Sequence, residues 1–135
     1  MRFEVDLAEP GLAERIERAA RTAVGDSLRS ITYFTPDAFE QLYLRADLSG
    51  DADLAGFVEH ESVGFRARTA YRDSELGGYR YTVRAFENGY LTRVTVDGQG
   101  VFLTTDGLTL RRSEDVAEAL ASVLDRRARG RTGRR

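Results

Sequence analysis

The sequence predicts an α/β fold of the α+β kind: one five-stranded antiparallel sheet sandwiched by helices, in the order αββαβββα. Three observations lead there. Residues 10–24 and 113–124 carry apolar side chains at helical spacing near the two ends of the chain. Residues 79–104 alternate apolar and polar side chains across two turn signals, Asn88-Gly89 and Asp97-Gly98. No internal repeat or linker divides the 135 residues, so residues 1–125 are expected to form a single domain.

The elements follow in order. Leu12, Ile16, Ala19, Ala20, Ala23 and Val24 share one helical face, with Pro10 in the first turn and Gly25 placed to end the helix. Leu28 to Phe34 is rich in β-branched and aromatic residues and reads as a strand. Thr35-Pro36-Asp37 breaks it. Residues 39–46 admit two readings. As a helix, Thr35 caps and Phe39, Leu42, Tyr43 and Ala46 share a face; as a strand, they return as a hairpin on 28–34, which is the reading favoured. After the break at 48–51, with Asp51 or Asp53 as cap, Leu54, Phe57, Val58 and Glu61 predict a helix over 52–71, irregular near Gly64. Strands at 79–86, 90–96 and 101–104 come next. Ser113 is then read as the cap of a last helix with Val116, Leu120, Val123 and Leu124 on its buried stripe.

Composition excludes several chemistries. Cysteine is absent, which removes disulfides, thiolate metal sites and a Cys nucleophile. His60 is the sole histidine, so no pair of imidazoles can hold a metal, and no metal or cofactor is expected. There is no lysine, hence no Walker-type phosphate loop, and neither a Gly-x-Ser-x-Gly elbow nor a His-Glu-x-x-His pair occurs. Glu59-His60-Glu61 looks chemical, but consecutive helical residues point about 100° apart, so a solvated helix face is the expectation. Asp47, Asp51 and Asp53 lack the Gly and the terminal Glu of a calcium loop. No catalytic residue is assigned, and an enzyme is the least favoured class. No apolar run reaches the ~20 residues of a membrane span, and the N-terminus lacks the apolar core of a signal peptide, so a cytoplasmic location is expected.

Charge is unevenly placed. All twenty cationic residues are arginine, and six of them lie at 126–135, a stretch without an acid. Residues 1–125 therefore hold fourteen arginines against twenty-two acids, or −8. An acidic body of this kind suits a high-salt milieu, and the arginine tail 126–135 is expected to be flexible.

Two sites are candidates for binding. If Asn88-Gly89 is a two-residue turn, Arg84 faces Arg93 directly, on a sheet face with Arg80, Thr82, Phe86, Leu91, Thr95 and Phe102. Tyr79, Tyr81, Val83, Val94, Val96, Val101 and Leu103 then form the opposite, buried face. Opposed like charges destabilise, so something must offset them. An acid from a packed helix or a dimer mate is one answer; an anion or nucleic acid backbone gripped by Arg80, Arg84 and Arg93 is the other. The second candidate is the tail, where Arg126, Arg127, Arg129 and Arg131 would meet nucleic acid by charge.

The element order resembles the roadblock, longin and profilin-like group over residues 10–125. In roadblock-like folds that resemblance implies pairing through an edge strand and the middle helix, here Tyr79–Phe86 and residues 52–71, with Phe57, Val58, Phe65, Tyr79 and Tyr81 as candidate interface residues. The stretches 25–30, Tyr43-Leu44-Arg45, 86–91, and Gly100-Val101-Phe102 leading to 104–107 look like small uncharacterised proteins of halophilic archaea. The expected function is a non-enzymatic regulatory or interaction module that forms a homodimer or meets a protein partner. The alternative is a small-anion or nucleic acid binder.

Overall fold

A computed structural model describes residues 3–48 and 54–131, without side-chain detail for Phe3, residues 54–56, Arg68 and residues 126–131. The elements are β1 (Phe3–Glu4), α1 (Pro10–Val24), a 3-10 turn (Gly25–Ser27), β2 (Leu28–Phe34), β3 (Ala38–Leu44), α2 (Leu54–Glu61), α3 (Gly64–Ala70), β4 (Thr82–Phe86), β5 (Gly89–Val96), β6 (Gln99–Thr105) and α4 (Leu110–Arg131). The sheet order is β1-β3-β2-β6-β5-β4. The five expected strands pair antiparallel, and the two-residue β1 adds to the outer edge of β3 in parallel.

Residues 38–44 form the strand, so the helical alternative for this segment falls. Pro36 sets the turn, and the Thr35 amide donates to the carbonyl of Ala38 to close the hairpin. α1 starts at Pro10 and ends at Gly25, whose φ of 60° is open to glycine at little cost.

The two faces of the sheet are covered differently. On one side α1 and α4 bury Leu12, Ile16, Val116, Leu120 and Leu124 against Ile31, Tyr33, Val94, Val101 and Leu103. Inside this layer the Tyr33 hydroxyl donates to Gln99 Oε1 at 2.8 Å, and Gln99 Nε2 donates to the carbonyl of Leu124. On the other side α2 and α3 bring Val58, with Phe57 and Phe65, onto Phe34, Leu91 and Phe102. Two short helices cover less sheet than two long ones, so the described residues leave part of this second face open.

Three boundaries differ from expectation. β4 begins at Thr82 rather than Tyr79, and residues 79–81 break the alternation: Tyr79 turns to the α2/α3 side while Tyr81 packs beside α4's layer. β6 begins at Gln99, because Asp97 (φ 51°) and Gly98 (φ 81°) alone make the left-handed two-residue turn. α4 begins at Leu110, where Thr109 Oγ1 accepts the Arg112 amide and so takes the capping role assigned to Ser113. The Ser113 hydroxyl instead donates to the Leu110 carbonyl. α4 also continues six residues past Asp125, since arginine and alanine favour the helix, so the expected tail boundary at 126 does not coincide with the helix end.

The β4–β5 register is the other correction. Phe86 pairs with Gly89, leaving Glu87-Asn88 as the turn, so Arg84 faces Leu91 and Arg93 faces Thr82. Gly89 is needed inside the strand: a Cβ there would lie 2.5 Å from the Thr105 carbonyl oxygen. A slip of two residues keeps each side chain on its face, so the hydrophobic pattern could not detect it.

Candidate functional site

The α2/α3 side of β4 and β5 holds a buried charge cluster. Glu61 ends α2, is 1% exposed, and accepts from Arg93 Nη1 at 2.8 Å and from Arg84 Nε at 2.6 Å. Arg93 Nη2 donates to the Thr82 hydroxyl at 2.8 Å and to the Tyr79 hydroxyl at 3.0 Å, and those two hydroxyls bond each other at 2.6 Å. Gly64, the first residue of α3, lies flat on the guanidinium: a Cβ there would come 2.5 Å from Arg93 Nε. That Nε is buried without a partner among the described residues. The cluster thus answers the question posed by the two arginines. An acid from the packed helix offsets them, as one of the two readings required, and Glu61 is not on a solvated face; Glu59 and His60 are.

The three arginines do not form one site. Arg93 is buried and saturated by Glu61 and the hydroxyls. Arg84 stays partly exposed, 41% at the side chain, and reaches Glu61 through its Nε. Arg80 crosses to the other layer, where it pairs with Glu114 and Glu118 of α4 and lies over the Tyr81 ring. The Arg80 ion pair holds the Glu114 carboxyl below its ordinary pKa. Arg80 leaves the group because the strand has not yet begun at residue 80. Arg126, Arg127, Arg129 and Arg131 stand on the α4 backbone, but their side chains lie outside the described residues, as do the Asp51 and Asp53 caps.

Of the candidate interface residues Val58 is buried, and Phe57, Phe65, Tyr79 and Tyr81 are each partly exposed while making contacts inside the fold. Phe65 sits 5.2 Å from the Phe34 ring, and Phe57 meets Phe86 and Phe102. Tyr79 stacks on Tyr71 at 6.2 Å, and Tyr81 packs against the large core. What remains exposed near β4 is Val83, Ala85, Phe86 and Tyr71.

The two edges of the sheet differ. At β3 the outer edge pairs with β1 at Ala38 and Phe39, the Val5 amide donates to the Phe39 carbonyl, and Glu40 Oε1 accepts the amides of Leu7 and Ala8 at 2.8 Å each. At β4 no strand lies beyond among the described residues.

Residues 14–125 match the model of a family described as a domain of unknown function, DUF7522. The chain belongs to the DUF7522 family. The fold of this family member is similar to that of roadblock/LC7 proteins. A structure of MglB with a tetrameric arrangement superposes with a TM-score of 0.59 at 13% identity, covering 89% of this chain and 95% of that one. The gliding protein MglB of Thermus thermophilus gives 0.57 at 13% identity, with 89% and 96% covered. A roadblock/LC7 domain from Streptomyces avermitilis gives 0.51 at 15%, with 90% and 99% covered. A search of curated proteins returned no significant match. Among the described residues of this DUF7522 chain, no group of three or more His, Cys, Asp or Glu side chains is placed to hold a metal, and no helix is long and apolar enough to cross a membrane.

Proposed function

We propose that this protein is a non-enzymatic interaction module that forms a homodimer by pairing β4 with β4 of a second copy. The carrying observation is the asymmetry of the sheet edges. An open edge is a template for another strand, and folds that avoid such pairing cover it. Here β1 covers the start of β3, at Ala38 and Phe39, while among the described residues no strand covers any part of β4. The open edge also carries exposed apolar surface, with Val83 39% and Phe86 51% accessible. The resemblance to roadblock folds points to the same edge, and one structural neighbour, MglB, has a tetrameric arrangement.

The hydrogen-bond phase of β4 supports the reading. Phe86 and Gly89 close a two-residue turn, so they exchange both bonds, and Arg84 and Thr82 follow in the same phase toward β5. Val83 and Ala85 therefore direct their amides outward, where a second copy would receive them. Glu61 anchors this strand to α2 through Arg84, which keeps the edge straight and presented. The middle helices α2 and α3 would flank the joint, with Val63 between them and Tyr71 just after α3, both more than half exposed.

The test uses light scattering on the purified full chain. Wild type is expected at twice the 15.1 kDa chain mass. Val83→Pro and Ala85→Pro remove the outward amides without touching the β5 ladder, and both are expected at the single-chain mass with unchanged circular dichroism. A single-chain mass for wild type at high concentration would overturn the proposal.

A further inference from the structure

The part of the second sheet face that the described residues leave uncovered holds a cavity of about 600 Å³, between β2, β3 and β6 on one side and α2 and the β4–β5 turn on the other. This size lies within the usual range for small-molecule sites. Its apolar wall is aromatic: Phe57 stands edge-on to Phe86 at 6.1 Å and tilted to Phe102 at 6.3 Å.

The polar groups of the cavity converge because of two bulges. The β2–β6 register shifts between Leu28 and Ser30, so Arg29 is the extra residue and lines the same cavity as its neighbour Ser30. The β2–β3 register shifts between Ile31 and Thr32, beside Gln41, which also lines it. Bulges re-aim side chains in this way and gather at binding sites. The Ser30 and Thr104 hydroxyls bond each other at 2.6 Å. That pair has two protons and uses one between its oxygens, so one O–H is left to donate. Arg29 Nη1 is fixed by Asp106 Oδ1 at 2.9 Å, while the other guanidinium N–H groups, like the Gln41 side-chain amide, form no hydrogen bond among the described residues. Asp106 is itself shared with Arg45, which takes both of its oxygens. The set is rich in donors: a guanidinium, a hydroxyl and an amide around one mouth. Among the described residues, the acid on the lining is Glu87, exposed on the turn.

We propose that this cavity binds a small aromatic carboxylate. The ring lies among Phe57, Phe86 and Phe102, and the carboxylate accepts from Arg29, the Ser30–Thr104 hydroxyl pair and Gln41. The site borders the β4 edge at Phe86 but uses none of its outward amides, so binding does not depend on dimerisation.

The probe is 2-naphthoate, with uncharged 2-naphthamide as its isostere, titrated calorimetrically into the full chain. One saturable site per chain is expected. A hydrogen bond to a charged group stabilises by about 1.5–3 kcal/mol, so the amide is expected to bind about tenfold or more weakly than the acid. Arg29→Met is expected to remove that preference, and Glu87→Gln to tighten the acid alone. Because Arg29→Met also removes one of the two cations on Asp106, the pair Ser30→Ala and Gln41→Leu serves as the second test; each should weaken naphthoate severalfold with an unchanged melting temperature. Absence of saturable binding, equal binding of acid and amide, or affinity unchanged in all of Arg29→Met, Ser30→Ala and Gln41→Leu would overturn the proposal.

Discussion

Replacing Glu61 by alanine is the most informative single change in the molecule. It leaves the Arg93 guanidinium, 4% exposed, without a counter-charge, although the Tyr79 and Thr82 hydroxyls still accept from it. Removing one partner of a buried pair costs about 3–5 kcal/mol, because the remaining ion stays desolvated. The Arg84 arm adds little: its side chain is 41% exposed, and such pairs contribute below about 1 kcal/mol. Urea unfolding reads this directly. With a denaturant slope of about 2 kcal/mol per molar, the Glu61→Ala midpoint should fall by about 1.5–2.5 M, and that of Arg84→Ala by less than about 0.5 M. The double variant Glu61→Leu/Arg93→Met, which swaps the pair for apolar bulk, should return to within about 1 kcal/mol of wild type. A Glu61→Ala loss below about 1 kcal/mol, or no recovery in the double variant, would refute the view that a desolvated ion pair joins α2 to the sheet.

Three further outcomes follow from the geometry. Gly64→Ala places a Cβ against Arg93 Nε and Cδ, at 2.5 and 2.9 Å, and should cost about 1–3 kcal/mol in the same urea assay. Asp106 has its pKa lowered to about 2, first by the hydrogen bond from Arg45 and then by that from Arg29. A carboxyl depressed in the folded state stabilises above its unfolded pKa and loses that contribution as pH falls from about 4 to about 2, so Asp106→Asn should flatten the acid limb of stability against pH, by less than about 1 kcal/mol given its exposure. Truncation after Asp125 removes the end of α4 beyond Leu124, its last core residue among those described, and should shift the melting temperature by no more than a few degrees, about what 1 kcal/mol gives at this size.

The sequence was most legible where one residue dictates the local backbone. Pro10 and Gly25 delimit α1, and Pro36 forces the turn between β2 and β3. It was least legible where distant groups decide. Gly89 reads as a turn residue until Thr105 is seen beside it. Glu61 sits among charged neighbours on a helix, and nothing local marks it as buried; the usable signal lay elsewhere, in two arginines on one sheet face that required an acid. β1 spans two residues and has no periodicity to read, since Phe39 and Ala38 define it. The cavity polar set was invisible for a similar reason: bulges are set by cross-strand register, and alternation alone places Arg29 and Ser30 on opposite faces.

The amides of Val83 and Ala85 test the central claim most directly. Hydrogen exchange followed residue by residue, at protein concentrations above and below the dimer dissociation constant, reports whether a second strand covers them. The account predicts slow exchange of both amides when the protein is concentrated and fast exchange on dilution, while the Arg84 amide, bonded to β5, stays protected throughout. Fast exchange of Val83 and Ala85 at every concentration would contradict it, and would leave β4 an open edge in solution.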